Sequence, residues 1–244
     1  MLDGKKILAI ILARKNSVGL PGKNYRKLCG KPLFIWSVIA AINSKYVDAV
    51  VVSSCCTVVK KDFFNYVNNL YGNNKVIEFI DRDEKLNGPQ VKNEPVMIDA
   101  YDKMVKINSF YADIIVSLQP TSPVRTNNLI DQCLEKYKLD KADSLVTVSK
   151  NYPFIFHQHD ERATCPNMYF TDRPMRQEIR DWQFALIDNG NVYITKKDIL
   201  LNHNNRLGGR ITTYVTDKYQ SLQIDDLEDF NLIEKMAEIY QEII

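Results

Sequence analysis

Ile7-Leu8-Ala9-Ile10-Ile11-Leu12-Ala13 runs directly into Arg14-Lys15-Asn16-Ser17-Val18-Gly19-Leu20-Pro21-Gly22-Lys23-Asn24. An unbroken apolar run of this length predicts a strand buried on both faces, as parallel sheets covered by helices require. The polar stretch behind it then sits at a strand's carboxyl end, where open α/β sheets bind their ligands. It offers the cations Arg14, Lys15 and Lys23, two glycines that permit tight backbone, and free amides. Those features suit a triphosphate, because charged donors bind phosphate oxygens strongly. A basic surface loop has the same composition, and by these residues alone both readings stand. The Walker-type loop G-x-x-x-x-G-K-[ST] is excluded, with Ser17 at its first glycine and Asn24 at its final hydroxyl. Val18 and Gly19 likewise break the spacing of the dinucleotide fingerprint G-x-G-x-x-G.

Outward from this stretch, apolar runs alternate with amphipathic ones, which predicts a mostly parallel sheet covered by helices. Strands are expected at Ala49 to Val52, Val76 to Ile80, Ile114 to Leu118, Ser144 to Val148, Val192 to Thr195 and Ile211 to Val215. Pro32 opens a helix whose stripe reads Leu33, Trp36, Ile39 and Ala40. Val59, Phe63, Val67 and Leu70 form the next stripe, closed by Gly72, and Pro95 opens a helix carrying Ile98, Tyr101, Met104 and Val105. Thr126 is placed to cap a helix with the face Leu129, Ile130, Cys133, Leu134 and Tyr137. Leu227, Phe230, Ile233, Ala237 and Tyr240 mark a closing helix. From Asn151 to Trp182 the rhythm breaks into aromatics, Pro, His and Arg, which reads as an arm or small subdomain. No repeat or linker divides the chain, so residues 1–244 are expected to form one domain with 151–182 as an inserted arm.

Composition narrows the function. Thirty-two basic against 30 acidic residues leave a net charge of +2, so no bulk field draws the chain to nucleic acid or a membrane. No basic stripe with interleaved aromatics appears either, and nucleic-acid binding is not expected. The five cysteines (Cys29, Cys55, Cys56, Cys133, Cys165) contain no C-x-x-C pair, which argues against zinc and against a secreted disulfide framework. Reduced thiols in a cytoplasmic protein fit this usage. Lys5-Lys6 ahead of Ile7 faintly mimics a signal peptide, but Arg14 closes the apolar run after seven residues. His157, His159 and His203 have no ligand-like company and read as non-catalytic.

With those residues in view, the chain resembles the acylneuraminate cytidylyltransferases, which activate nonulosonic acids as CMP-sugars. Their opening loop A-R-x-x-S-K-G-L-P-x-K-N is matched by Ala13, Arg14, Ser17, Gly19, Leu20, Pro21, Lys23 and Asn24. Gly30-Lys31-Pro32-Leu33 follows in step. Leu118-Gln119-Pro120-Thr121-Ser122-Pro123-Val124-Arg125 is similar to the family's L-Q-P-T-S-P-L-R, and Asn189-Gly190-Asn191-Val192-Tyr193-Ile194 to N-G-A-I-Y-I. Ile224-Asp225 completes the series, so the matching blocks span almost the whole chain in order.

The resemblance implies a three-layer, Rossmann-like nucleotidyltransferase fold, and transfer of CMP from CTP to the anomeric hydroxyl of a sialic-, legionaminic- or pseudaminic-type acid with release of pyrophosphate. It implies nucleotide contacts from Ala13, Arg14, Ser17, Gly19, Lys23, Asn24 and Arg82, with Arg14 and Lys23 stabilising charge on the leaving group. It also implies acceptor contacts from Gln119, Thr121, Ser122, Arg176, Gln177 and Asn189, and a homodimer joined through the arm. Magnesium (or manganese) is implied at Asp225, the one aspartate left of a D-x-D pattern because Gln223 takes the first place. Three further features depart from the family. Val18 stands where a lysine is usual, and Lys15 either replaces that charge or is a solvated side chain. Asp83 follows Arg82 in place of a proline, so Arg82 either faces the base or pairs with Asp83. Phe154 and Ile155 follow Tyr152-Pro153 where the family carries a lysine, a change on the sugar side.

Two other functions answer to the same residues. One is a cytidylyltransferase for a 3-deoxy-octulosonate or another acceptor. The second is a nucleotide-binding relative without activity, to which Val18 and Gln223 lend weight.

Overall fold

The computed structural model describes all of the chain except residues 1, 16, 18, 69–74, 89, 127, 160, 161, 165–172 and 240–244. Asn16, Val18, Leu70, Gly72, Pro89, Cys165 and Tyr240, on which parts of the sequence reading fall, lie outside the described residues.

Among the described residues, eleven strands and six α-helices follow one another: β1 (Ile7–Leu12), β2 (Lys27–Leu28), β3 (Lys31–Pro32), α1 (Leu33–Asn43), β4 (Ala49–Ser54), α2 (Thr57–Val67), β5 (Val76–Asp81), α3 (Asn93–Asn108), β6 (Ile114–Leu118), α4 (Leu129–Leu139), β7 (Ser144–Asn151), β8 (His157–His159), β9 (Arg162–Thr164), β10 (Ala185–Lys196), α5 (Lys197–His203), β11 (Ile211–Val215) and α6 (Leu227–Ile239). Seven strands form one sheet in the order β11-β7-β10-β6-β1-β4-β5. Strand β10 is antiparallel to both its neighbours, and every other pairing is parallel. The chain leaves β1 towards β4 and β5, then returns to β6 on the other side of β1. That reversal opens a crevice beyond the carboxyl ends of β1 and β6, the position where doubly wound folds bind ligands.

Burial on both faces explains the apolar strands. Ile7, Ala9 and Ile11 of β1 pack into one core with α1, α2 and α4, while Leu8 and Ile10 face α3 and α5 on the other side. A third, smaller core joins Leu20 of the opening loop, Leu28, Leu33, Val124 and Ile224 to Phe230 and Ile233 of α6. It clamps the loop after β1, the loop after β6 and the start of α6 against one another.

Four local expectations are corrected. In α1 the fully buried side chains are Leu33, Phe34, Ile35, Ser37, Val38, Ala41 and Ile42, and Trp36, Ile39 and Ala40 are only half-buried. With apolar residues almost all round, this helix has no periodicity to single out a face. Helix α3 begins at Asn93 rather than Pro95. Thr126 does not cap α4 with its side chain: the helix starts at Leu129, and the Thr126 hydroxyl hydrogen-bonds Asn128 and Gln220 instead. Leu227 of α6 is largely exposed, leaving Phe230 and Ile233 as the anchors.

The irregular stretch has an observable basis. Beyond the neighbours β6 and β11, strands β7 and β10 run on together as a ribbon, with Asn151 opposite Ala185. The ribbon leads into the β8–β9 hairpin and the single turns Arg176–Glu178 and Asp181–Gln183. Arginines and lysine stack on its rings: Arg173 on Phe154, Arg176 on Tyr152 and Lys150 on Phe184, with cation-to-centroid distances of 3.9, 5.0 and 4.2 Å.

Candidate active site

A cavity of about 460 Å³ occupies the crevice, lined among others by Arg14, Ser17, Lys23, Asn24, Arg82, Gln119, Thr121, Arg206, Gln223 and Asp225. Its floor is Leu12 of β1 with Ser117 and Leu118 of β6.

The loop after β1 supplies the cationic end. Gly22 takes a left-handed conformation (φ 70°) and starts the short turn Lys23–Tyr25, which buries Lys23 and Asn24. The Asn24 side chain donates to the Arg14 carbonyl at 2.7 Å and so holds the loop's own curvature. Lys23, 7% exposed, donates its Nζ to the Ile224 carbonyl at 2.5 Å and stands 3.5 Å from Asp225 Oδ1. Gly19 packs so closely on this segment that a Cβ there would lie 2.3 Å from the Asp225 carbonyl oxygen. The Ile224 N–H in turn donates to the Thr121 carbonyl at 2.8 Å. Opening loop, β6 loop and Asp225 segment are therefore one hydrogen-bonded unit. Ala13 lies buried at its root, its N–H bonded to the Ser53 carbonyl at 3.1 Å, whereas Lys15 is exposed and is not among the lining residues.

Arg82 follows β5 and is 7% exposed. Its guanidinium donates to the Ser53 carbonyl (2.7 Å) and hydroxyl (3.2 Å) at the end of β4. Asp83 pairs with Lys103 and Lys85 instead, so the exposed Arg82–Asp83 pair does not form. Burial pulls the Arg82 guanidinium below its ordinary pKa, and the Arg14 charge adds to the effect. An anion in the cavity would relieve both.

On the opposite wall, Gln119 stands 3.5 Å from the Tyr193 hydroxyl, which donates to Asp188 at 2.8 Å. Burial pushes the Tyr193 hydroxyl upwards in pKa, so it stays a donor. The loop after β6 is held from behind by Arg125, which is fully enclosed and bonds the Gln119 and Asn191 carbonyls at 2.9 Å each and the Ser37 hydroxyl at 3.0 Å. Asn191 adds bonds to the Val124 and Gln220 carbonyls. Asn189 and Gly190 lie in a bulge within β10, where the register shifts between Asp188 and Tyr193, rather than in a turn between elements. Gly190 (φ 67°) backs directly onto the Gln223 and Gln119 amides, at 2.9 and 3.4 Å from a Cβ built on it.

Of the residues singled out in the sequence, Arg14, Ser17, Lys23, Asn24, Arg82, Gln119, Thr121 and Asp225 come together around the cavity. Ser122 and Asn189 are buried behind it, bonded to the Asn189 carbonyl and to Thr216 respectively. Arg176 and Gln177 are exposed on the arm and do not reach this chain's cavity. Sequence reasoning missed Lys92, Asn93, Glu94 and Arg206 on the wall. The only signal for the first three was the polar run ahead of Pro95, and Arg206 carried none.

The cavity thus lies at the switch point of a doubly wound α/β sheet, where such folds bind ligands. A model of the cytidylyltransferase family matches residues 8–75. The N-acylneuraminate cytidylyltransferase of Escherichia coli is 30% identical over 93% of the chain. The CMP-N,N'-diacetyllegionaminic acid synthase of Legionella pneumophila is 29% identical over 98% of the chain and 99% of its own length. A solved CMP:2-keto-3-deoxy-manno-octonic acid synthetase complexed with CTP superposes with a TM-score of 0.64 at 16% identity, covering 96% of this chain and 99% of that one, which shows a shared fold. The chain is thus similar to cytidylyltransferases, those named for N-acylneuraminate and for N,N'-diacetyllegionaminic acid among them. It spans about half the length of the Escherichia coli protein (51%).

Proposed function

We propose that this protein transfers CMP from CTP to the anomeric hydroxyl of a nonulosonic acid, releasing pyrophosphate. The observation that carries this reading is the buried Lys23 ammonium, which lines one crevice with Arg14 and Arg82 at one end and Gln119 at the other. The anomeric oxygen forms a bond to the α-phosphorus, the bond from that phosphorus to the bridging oxygen breaks, pyrophosphate departs, and the hydroxyl proton passes to solvent. Arg14 and Lys23 take up charge appearing on the leaving group, Lys23 from a buried position and Arg14 from the exposed rim. Arg82 and Asn24 border the nucleoside side, and Gln119 offers a donor and an acceptor to the sugar.

The donor set fits a hard cation of the Mg²⁺ kind (or Mn²⁺). Such ions use one or two carboxylates together with substrate phosphates, and Asp225 presents its carboxylate to the cavity beside Lys23. Among the described residues no group of three or more His, Cys, Asp or Glu gathers to form an all-protein cage. Held by Asp225, the ion would supply neutralisation of phosphate charge and easier ionisation of the attacking hydroxyl.

A homodimer and a cytoplasmic setting belong to the same proposal, as does a single domain bearing one arm. Tyr152, Phe156, Met175, Trp182, Leu186 and Ile187 are all exposed on the arm and its ribbon, an apolar surface suited to a second copy. Arg176 and Gln177 on that arm would then serve the partner's sugar site. The cysteines Cys29, Cys55, Cys56 and Cys133 are free thiols, and no helix among the described residues is long and apolar enough to cross a membrane. The test is a pyrophosphate-release screen of CTP, UTP and ATP against nonulosonic and octulosonic acids with Mg²⁺ or Mn²⁺. Release from CTP with a nonulosonic acid is expected. CTP binding without turnover on any acid would instead mark a nucleotide-binding relative.

A further inference from the structure

Opposite the cationic loop, two side chains that the proposed chemistry leaves unused face the same cavity. Arg206, from the loop between α5 and β11, lays its guanidinium over the Tyr193 ring at 4.3 Å from the centroid. Its Nη1 stands 3.6 Å from Oε1 of Glu94, in the first turn of α3. Both line the cavity, and both side chains are mostly covered, with 23% and 13% exposure.

The arrangement has two chemical consequences. Stacking on Tyr193 fixes the plane of the guanidinium fork, so its free N–H groups point in set directions. Glu94 compensates the charge of Arg206, and at 3.6 Å the two are beyond hydrogen-bond length, with polar atoms to spare. A charge-compensated pair offering donors on one side and acceptors on the other is a poor trap for a carboxylate, whose charge Glu94 opposes. It matches a neutral group that carries both an acceptor and a donor, which is the chemistry of a secondary amide.

Resting on the proposed function, we infer that Arg206 and Glu94 set acceptor specificity by reading an acylamino substituent of the sugar. The amide carbonyl accepts from Arg206 and the amide N–H donates to Glu94. The shared carboxylate and the nucleotide are left to other residues. A polar site built for such a group rejects analogues without it, because its own partners are left unpaired.

The experiment measures kcat and KM for CTP and for a matched set of nonulosonic acids. One acid of each pair carries the acylamino group and the other a hydroxyl in its place. Wild type, Arg206→Met and Glu94→Gln are compared. Wild type is expected to favour the acylamino acid, and each variant to lose roughly tenfold to hundredfold in kcat/KM on that acid alone, with KM for CTP and turnover of the hydroxyl acid within about threefold. Unchanged discrimination in both variants, with CTP turnover intact, overturns this inference and leaves the proposed function standing. An equal loss on both acids of a pair places Arg206 on the common carboxylate and overturns it as well. Absence of pyrophosphate release from wild type with every acid overturns both readings together. Glu94→Gln preserves volume at the wall position, so it keeps the comparison informative should Arg206→Met misfold.

Discussion

Two glycines and one lysine hold the cavity's shape at the level of single residues. Lys23 is almost wholly enclosed, yet its nearest partners are a carbonyl and a partly solvated carboxylate. Its charge is therefore under-compensated until an anion arrives, and Lys23→Met is expected to weaken CTP binding at least tenfold, read by calorimetry, with the circular dichroism spectrum unchanged. Loss of a charge-assisted hydrogen bond of about 1.5–3 kcal/mol sets that scale. Gly19→Ala would push a Cβ to 2.3 Å from backbone at Asp225, which no side-chain rotation can relieve. That variant is expected to retain its fold but lose kcat by two orders of magnitude or more in the pyrophosphate assay, since the segment bearing Asp225 must shift. At Gly190 the obstacle is softer, the ends of the Gln223 and Gln119 side chains, together with a positive φ. Gly190→Ala is expected to raise KM for the acid sugar several-fold, spare KM for CTP, and cost about 1 kcal/mol in urea titrations.

Elements differ in how far they could be read in advance. Strands β1, β4 and β6 were legible because burial on both faces leaves runs of mostly apolar residues, broken only by Ser53, Ser54 and Ser117. The outer half of β10, Ala185 to Gly190, was not, because its pairing with β7 continues past the sheet and imposes no apolar pattern. The opening loop and the Gln119 loop could be placed at the site because each follows a recognisable strand. Arg206 and Glu94 meet only through the packing of α5 against α3, which brings the loop after α5 to the start of α3, a contact that no local spacing announces. Lys75 belongs to the same class: its ammonium donates to the carbonyls of Ala41, Ile42 and Ser44, closing the end of α1 from the start of β5. Lys75→Met is expected to lower stability by about 1–2 kcal/mol in thermal or chemical melts while CTP affinity holds.

For the molecule as a whole, the proposed dimer rests on the arm. Trp182 is 77% exposed, next to exposed Leu186 and Ile187 on the ribbon. Light scattering is expected to give twice the chain mass at micromolar concentration, and Trp182→Asp combined with Ile187→Asp a single chain mass with the sheet core intact. Resemblance singled out Arg176 and Gln177, and in the three-dimensional arrangement neither lines this chain's own crevice.

Strand β10 spans both territories without interruption. Over its 12 residues, about 40 Å at roughly 3.3 Å each, one end belongs to the arm and the other runs beneath Gln119. The arm and the Gln119 side of the cavity thereby share one strand, with the bulge at Gly190 as the joint between them. If the proposed dimer and sites hold, dilution that separates the chains should be felt first in the affinity for sugar, with the affinity for CTP at the end anchored to β1 and β4 unchanged.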